Sequence, residues 1–169
     1  MKKVAIFNDT SASKHYGCVL VMHNLKKILL KNNLKPVFFW PVGRDWRPFA
    51  EKIKNNCNYQ AIIVNGEGSI HNSKNRLRAV YLSELATFSK NQLKIPSYLI
   101  NATVFKNEKK VYKNFKNFTR IFVRENKTLN ELKKNNIFST VVPDLTFAFE
   151  EKEKWGGAKK RKKKNFNYR

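Results

Sequence analysis

Short apolar runs alternate with longer amphipathic segments along residues 1–149. The runs have the length of strands, whereas the longer segments repeat their apolar positions every three or four residues, as helices do. The pattern predicts six strands, at residues 3–8, 37–40, 61–64, 97–100, 120–123 and 139–142. It predicts helices at residues 17–31, 48–56, 74–90 and 127–135, and a lysine-rich helix or loop at residues 107–117. This alternation predicts an α/β fold with a doubly wound parallel sheet.

The third predicted strand, residues 61–64, has no polar position, which is typical of a strand buried on both faces of a parallel sheet. The segment after it, residues 65–71, combines two glycines with amide, carboxylate, hydroxyl and imidazole groups, and we expect it to form a loop. Ligands of open α/β sheets bind at the carboxyl ends of the strands. This segment is therefore the strongest candidate for a functional site.

Polar side chains follow the other predicted strands as well, and together they make up the candidate site. The catalytic candidates are His71 and Glu67. The substrate-binding candidates are Asn8, Asp9, His15, Asn65, Gly66, Gly68, Ser69, Asn101, Arg124 and Asp144.

Several of these residues have a structural alternative. The imidazole of His71 could act as a general acid or base, or it could pack at the cap of the next helix. Arg124 could bind a carboxylate or phosphate, or form a salt bridge to Glu125 or Glu67. Asp144 follows a proline and could contact a ligand or simply form a turn.

The loop at residues 9–17 connects the first strand to the first helix. It contains neither G-x-G-x-x-G nor G-x-x-x-x-G-K-[ST], which argues against a classical dinucleotide site or a P-loop. The start of the helix still favours an anion. His15 in this loop could contact a ligand or cap the loop.

The chain of 169 residues carries a net charge of +23, which is compatible with nucleic acid, an anionic membrane or a phosphorylated substrate. The basic residues are scattered, and no aromatic–basic interleaving stands out, so composition bias is the favoured explanation and no specific nucleic acid is expected. No apolar run is long enough to span a bilayer, and the N-terminus is not a secretory signal. Cys18 and Cys57 lack metal-ligand spacing, so we expect no metal site, no disulfide and a cytoplasmic location.

Residues 150–169 differ from the rest of the chain. They are highly charged and nearly free of apolar residues, and we expect a disordered tail after a single domain at residues 1–149. The sequence Trp155-Gly156-Gly157 is what a run of guanines encodes. We therefore consider that the tail arises from a frameshift and that the chain is truncated before a second domain.

The strand-end segments resemble those of the polysaccharide pyruvyl transferase family, in the family's order and over roughly residues 1–149. The segments that carry the resemblance are Asn8-Asp9-Thr10, His15-Tyr16-Gly17-Cys18, Val64 to His71, Leu99 to Ala102, Val123-Arg124-Glu125 and Val141 to Phe147. The resemblance implies that this chain is the Rossmann-like N-terminal half of a two-domain, glycosyltransferase-B-like enzyme.

The resemblance also implies a reaction, in which the pyruvyl group of phosphoenolpyruvate becomes a ketal on a sugar of a surface polysaccharide or its lipid-linked precursor. Phosphoenolpyruvate would be a substrate, and no cofactor is implied. His71 or Glu67 would lie near the acceptor hydroxyls, and Arg124 would bind an anionic group. The basic surface would permit peripheral association with the inner membrane surface. The alternatives are a glycosyltransferase that uses a nucleotide sugar, an inactive half-domain, and a basic nucleic-acid-binding module.

Overall fold

Six parallel strands form one sheet in the computed structural model, which describes residues 1–149. The strands are β1 Lys2–Asp9, β2 Leu34–Pro41, β3 Ile62–His71, β4 Ser97–Phe105, β5 Arg120–Val123 and β6 Thr140–Val141. Their order across the sheet is β2-β1-β3-β4-β5-β6. The predicted α/β class, a Rossmann-like doubly wound parallel sheet, is confirmed. The predicted tail, residues 150–169, lies outside the described residues.

Five α-helices connect the strands, and each of the predicted helical segments contains one. They are α1 Tyr16–Lys31, α2 Ala50–Asn55, α3 Leu77–Phe88, α4 Lys109–Phe115 and α5 Asn126–Lys134. Residues 107–117, for which helix and loop were both open, are helical in their central part. Short helical turns at Arg47–Phe49, Ser89–Leu93 and Leu145–Phe147 complete the connections. Among residues 1–149, no helix has the length and hydropathy to cross a bilayer.

The third strand is longer than its apolar run predicts. Residues 65–71 were expected to form a loop, and this expectation is wrong, because β3 continues to His71 alongside an equally extended β4. The register pairs Asn65 with Ile100, Glu67 with Ala102 and His71 with Phe105, with an irregularity just after Glu67. Strand pairing therefore outweighs the turn preference of the two glycines.

Gly66 allows β3 to approach β4 closely at Ala102. A Cβ atom at Gly66 would lie 2.5 Å from the Cβ of Ala102 and 2.8 Å from its Cα, distances that real side chains do not reach. Nothing lies within 4 Å of the equivalent position at Gly68. The two glycines thus differ in role: Gly66 permits contact between the strands, while Gly68 borders open space.

The two faces of the sheet are covered unequally. The larger apolar cluster contains buried residues of α2, α3, α4 and α5, and the smaller one contains Met22, Leu25 and Leu29 of α1. Right-handed crossovers account for this, because the chain moves in one direction from β1 to β2 and in the other direction from β2 to β3 and onward. The direction reverses between β1 and β3, and ligands of such sheets bind at that switch point.

The α1 face also carries an apolar groove of about 490 Å³. Its apolar lining residues come from five strands and the segments that precede them: Val4, Leu34, Ala61, Ile63, Pro96, Tyr98, Ile100 and Phe122. The groove contains the amino-terminal parts of the strands and is therefore distinct from the carboxyl edge, where the polar residues gather.

Candidate active site

Three polar residues near the carboxyl ends of the central strands have positive φ angles. The values are 63° for Asn8 in β1, 37° for Glu67 in β3 and 53° for Asn101 in β4. Asparagine tolerates this region of the Ramachandran map, but glutamate rarely occupies it. Unusual backbone angles of this kind cluster at functional sites, where the surrounding contacts hold them in place.

The carboxylate of Glu67 is the centre of the polar cluster at the switch point. Its Oε1 accepts hydrogen bonds from Oγ1 of Thr10 and from Nδ2 of Asn65, both at 2.7 Å. Asn65 is completely buried, and Thr10 is 4 % exposed. Two buried donors therefore fix the orientation of a half-buried carboxylate that is still reachable from solvent.

Asn8 of β1 connects Asn65, which donates to this carboxylate, with Ser69 farther along β3. Its Nδ2 donates to the carbonyl oxygen of Asn65 at 2.6 Å and to Oγ of Ser69 at 3.2 Å. Among the described residues, four buried polar atoms of the edge have no protein partner, namely Oδ1 of Asn8, Oδ1 of Asn65, Nδ1 of His71 and Nδ2 of Asn101. Because buried polar atoms are normally hydrogen-bonded, this edge has unused capacity to bind a polar ligand.

The start of α1 adds a thiol and an imidazole to the cluster. The Sγ atom of Cys18 lies 3.7 Å from Nδ1 of His15, which precedes the helix. Burial, and next the hydrogen bond and charge of Glu67, raise the pKa of Cys18 above its ordinary value. The thiol is therefore protonated near neutral pH, and it acts as a weak hydrogen-bond donor rather than as a nucleophile.

Arg124 and Asp144 pair with each other. Nη1 of Arg124 lies 2.8 Å from Oδ2 of Asp144, and its Nε donates to Oγ1 of Thr103 at 2.9 Å. Neither of the expected salt-bridge partners is used, and Glu125 instead accepts a hydrogen bond from Thr128. The reason is geometric: residues 143–145 return to the carboxyl edge beside β5, where Asn101 accepts from the backbone N–H of Leu145.

Asp144 and Asp9 both also shape the backbone. Oδ1 of Asp144 accepts from the backbone N–H of Thr146 at 2.9 Å, which fixes the turn that precedes the last helical segment. Oδ1 of Asp9 accepts from the backbone and the hydroxyl of Ser11, at 2.9 and 2.5 Å. Asp9 thus orders the loop that carries Thr10.

His71 belongs to a separate contact group from Glu67. Its ring stacks on Phe105, with centroids 4.5 Å apart and planes 5° apart, and its Nε2 lies 2.9 Å from Nη1 of Arg76. A guanidinium can only donate, so Nε2 accepts and the imidazole is neutral. Burial, followed by the charge of Arg76, lowers the pKa of His71. In this arrangement His71 orients Arg76, and its basic lone pair is already used; it does not cap α3, which begins at Leu77.

The structure therefore places the candidate residues in three groups along one edge. Asn8, Asn65, Glu67 and Ser69 share one hydrogen-bond network, Arg124 and Asp144 form a pair beside Asn101, and His71 lies farther along β3 with Arg76. Sequence reasoning did not assign Thr10 or Arg76. Thr10 follows Asn8 and Asp9 directly, so its position was a usable signal, whereas nothing local distinguishes Arg76 from the many other basic residues.

Among residues 1–149, no group of three or more His, Cys, Asp or Glu side chains is arranged to hold a metal ion. What the edge presents instead is one fixed carboxylate, several amides and hydroxyls, and guanidinium groups. These groups suit a polar organic ligand that carries hydroxyls and an anion.

A doubly wound parallel sheet with polar residues gathered at its switch point defines a Rossmann-like α/β domain, a class of fold in which small ligands bind at that point. Residues 15–169 match the sequence model of the family polysaccharide pyruvyl transferase. The chain belongs to the polysaccharide pyruvyl transferase family. No curated protein matches it significantly. The matched range begins after Asn8-Asp9-Thr10 and includes residues 150–169.

Proposed function

We propose that the chain takes part in surface polysaccharide synthesis by transferring a pyruvyl group from phosphoenolpyruvate to two hydroxyls of a sugar, as a ketal. The acceptor is a sugar or a lipid-linked glycan. Membership of the polysaccharide pyruvyl transferase family supports the class of reaction. The observation that carries the proposal is the Glu67 carboxylate, which is held by Thr10 and Asn65 at the switch point.

The reaction joins both hydroxyl oxygens to C2 of phosphoenolpyruvate. C3 gains a proton, the C2–O bond to phosphate breaks, and inorganic phosphate leaves. Of the two hydroxyl protons, one balances the proton gained at C3 and the other is carried away by the phosphate or the buffer. No oxidant or reductant is required, so the protein has to position the diol, accept a proton and stabilise anionic groups.

In the proposed reaction, Glu67 acts on the hydroxyls of the acceptor. A carboxylate fixed by two donors through one oxygen can accept a hydrogen bond from a sugar hydroxyl and draw the proton away as the hydroxyl attacks. Asn8 and Asn65, each with an unused amide oxygen, add acceptors for neighbouring sugar hydroxyls. The Arg124 guanidinium is 29 % exposed and pairs with Asp144 through Nη1, so its remaining N–H groups can meet an anionic group of the substrate.

The proposed setting is the cytoplasmic face of the inner membrane, where lipid-linked glycans are assembled. A chain of net charge +23 would be attracted to anionic lipids there without inserting. Association would be peripheral and would weaken as salt screens the charge.

The test is turnover of the full chain with phosphoenolpyruvate and a set of hexosides, namely galactoside, glucoside and mannoside. We expect phosphate release that depends on one of these acceptors, together with a pyruvylated sugar detected by mass spectrometry. Glu67→Gln should reduce the rate by at least about a hundredfold, the usual range for a lost acid–base group. Glu51→Gln removes an equal charge at a position that is 75 % exposed, and it should leave the rate unchanged.

Turnover of a nucleotide sugar without phosphoenolpyruvate would replace the proposal by glycosyl transfer. Equal activity of Glu67→Gln and the unmodified chain would remove Glu67 from the mechanism. Absence of phosphate release with every acceptor, in a chain shown to be folded, would contradict transfer by this chain.

A further inference from the structure

A polar recess adjoins the Glu67 network. The cavity has a volume of about 350 Å³ and is lined by Ser69 of β3 and by Arg76, Leu77 and Arg78 at the start of α3. Oγ of Ser69 also accepts the hydrogen bond from Asn8, so the recess and the switch-point cluster share this hydroxyl. The volume falls in the range of small-ligand sites.

The two guanidinium groups of this recess lack a carboxylate partner within the described residues. Within residues 1–149, the cations whose nitrogen lies within 4 Å of a carboxylate oxygen are Arg47, Lys54, Lys110 and Arg124. Arg76 and Arg78 are not among them. The guanidinium of Arg78 has a hydrogen bond to the phenol of Tyr81, which leaves its other N–H groups for a ligand. The charge of Asp45 also reaches this phenol, so Asp45 is the carboxylate of this neighbourhood. Arg47 already binds Asp45, with Nη2 at 2.6 Å from Oδ2 and Nε at 3.0 Å from Oδ1.

Arg76 is oriented by a neutral group instead of a charged one. Its Nη1 donates to Nε2 of His71, whose ring is fixed by stacking on Phe105. This contact sets the direction of the guanidinium without neutralising it. Most of its donors are left for something else, because a guanidinium has five N–H groups in a planar fork.

We propose that this recess binds an oxyanion, the phosphate group of a substrate, through Arg76 and Arg78. The hydroxyl of Ser69 is the third donor, because it accepts from Asn8 and its own proton is free to point into the recess. Guanidinium groups match the geometry of phosphate oxygens in two-pronged contacts. A bound phosphate would also relieve the repulsion between two cations that line one cavity.

The biological meaning of the site rests on the proposed function, since two substrates of that reaction could bring a phosphate. Phosphoenolpyruvate carries one on C2, and a lipid- or nucleotide-linked sugar acceptor carries a diphosphate on its anomeric carbon. Either phosphate, bound in the recess, would be separated from the Glu67 network by the hydroxyl of Ser69. This hydroxyl lines the recess and also accepts a hydrogen bond from Asn8.

The experiment is calorimetric titration of the full chain with inorganic phosphate at near-physiological salt. Arg76→Gln and Arg78→Gln should each weaken binding at least about tenfold, as expected for loss of a charge-assisted hydrogen bond. Arg120→Gln is the matched control, because Arg120 is exposed at the start of β5 and its Nη1 donates to the carbonyl oxygen of Thr119, outside the recess. Thermal melting checks that each variant is folded.

Arg76→Lys separates a built site from general attraction to a basic chain. The substitution keeps the positive charge but loses the planar set of N–H donors, so it should weaken phosphate binding as well. Equal losses in Arg120→Gln and Arg76→Gln, or full affinity in Arg76→Lys, would overturn the site. If Arg76→Gln does not fold, Arg78→Gln and Arg76→Lys decide the outcome in the same way.

Parallel titrations with phosphoenolpyruvate and with a nucleoside-diphosphate hexose distinguish the two sources of the phosphate. The ligand whose affinity exceeds that of inorganic phosphate, and falls in Arg76→Gln, is the one that occupies the recess. Pyruvyl transfer that survives Arg76→Gln and Arg78→Gln without change would overturn the site and leave the proposed function standing. Phosphate binding that depends on these arginines, in a chain that shows no pyruvyl transfer, would support the site and contradict the proposed function.

Discussion

Nη1 of Arg76 lies 2.9 Å from Nε2 of His71, so a positive charge faces an imidazole that must stay neutral to accept its hydrogen bond. Protonation of His71 would bring two donors and two positive charges together. Burial and the charge of Arg76 accordingly lower the pKa of His71 below its ordinary value.

This relationship predicts a loss of stability in mild acid. The unfolded chain binds a proton at His71 with its ordinary pKa, whereas the folded chain resists it, so the free energy of unfolding falls as the pH drops through and below about 6.5. His71→Gln keeps an acceptor for Arg76 and removes the titration. Urea unfolding between about pH 8 and pH 5 should therefore show a shallower decline for the variant. Identical slopes for the two proteins would contradict the contact.

Gly66 predicts a packing effect on stability. Gly66→Ala would force a methyl group against the backbone of Ala102, which the pairing of β3 and β4 cannot accommodate without separating the strands. We expect a loss of about 3 kcal/mol in the free energy of unfolding. Gly68→Ala, in the same strand but with nothing within 4 Å, should change it by less than about 0.5 kcal/mol. Similar unfolding midpoints for both variants in urea would contradict the close approach at Gly66.

The glycines also show where sequence reasoning succeeds and where it stops. The strand at residues 120–123 was predicted at its observed bounds, and the first helix within one residue, because apolar periodicity alone decides both. Residues 65–71 were assigned to a loop because their composition is that of a turn. Their strand conformation depends on β4, more than thirty residues away, and on a steric fit at Ala102 that no local pattern encodes.

The candidate site shows the same division. Gathering of polar residues at strand ends follows from the parallel sheet, so Asn8, Asn65 and Glu67 could be expected to meet. Their partners could not be derived, because side-chain pairing depends on how connections return to the edge. Arg124 illustrates this: both of its expected carboxylate partners were close in sequence or on the same edge, yet residues 143–145 supply Asp144 instead.

The Arg124–Asp144 pair predicts a measurable coupling energy. The two side chains are 29 % and 19 % exposed, and Thr103 helps to hold the guanidinium, so the pair is better shielded than a surface ion pair. A double-mutant cycle with Arg124→Met and Asp144→Asn should give a coupling of about 1 kcal/mol.

The pair formed by Lys110 and Glu108 is the control for that cycle. Its atoms lie 3.2 Å apart, but its side chains are 59 % and 45 % exposed, and many exposed pairs of this kind contribute nothing measurable, so we expect a clearly smaller coupling. Equal couplings for the two pairs, or a coupling at Arg124 that disappears in moderate salt, would show that Arg124 behaves as a surface residue.

Cys18 is a built-in reporter of the charge on Glu67. Burial and, after it, Glu67 raise the pKa of this thiol above its ordinary value, so the thiol should react slowly with iodoacetamide near pH 8. In a Cys57→Ser background Cys18 is the only thiol of the chain. Glu67→Gln should then lower the pKa of Cys18 and speed alkylation several-fold, because the neutral amide no longer disfavours the thiolate.

Glu51→Gln is the control, because the Glu51 side chain is 75 % exposed, and it should leave the rate of alkylation unchanged. A rate that is equal in all three proteins would mean that Glu67 does not face Cys18, and it would remove the carboxylate from the centre of the switch-point cluster.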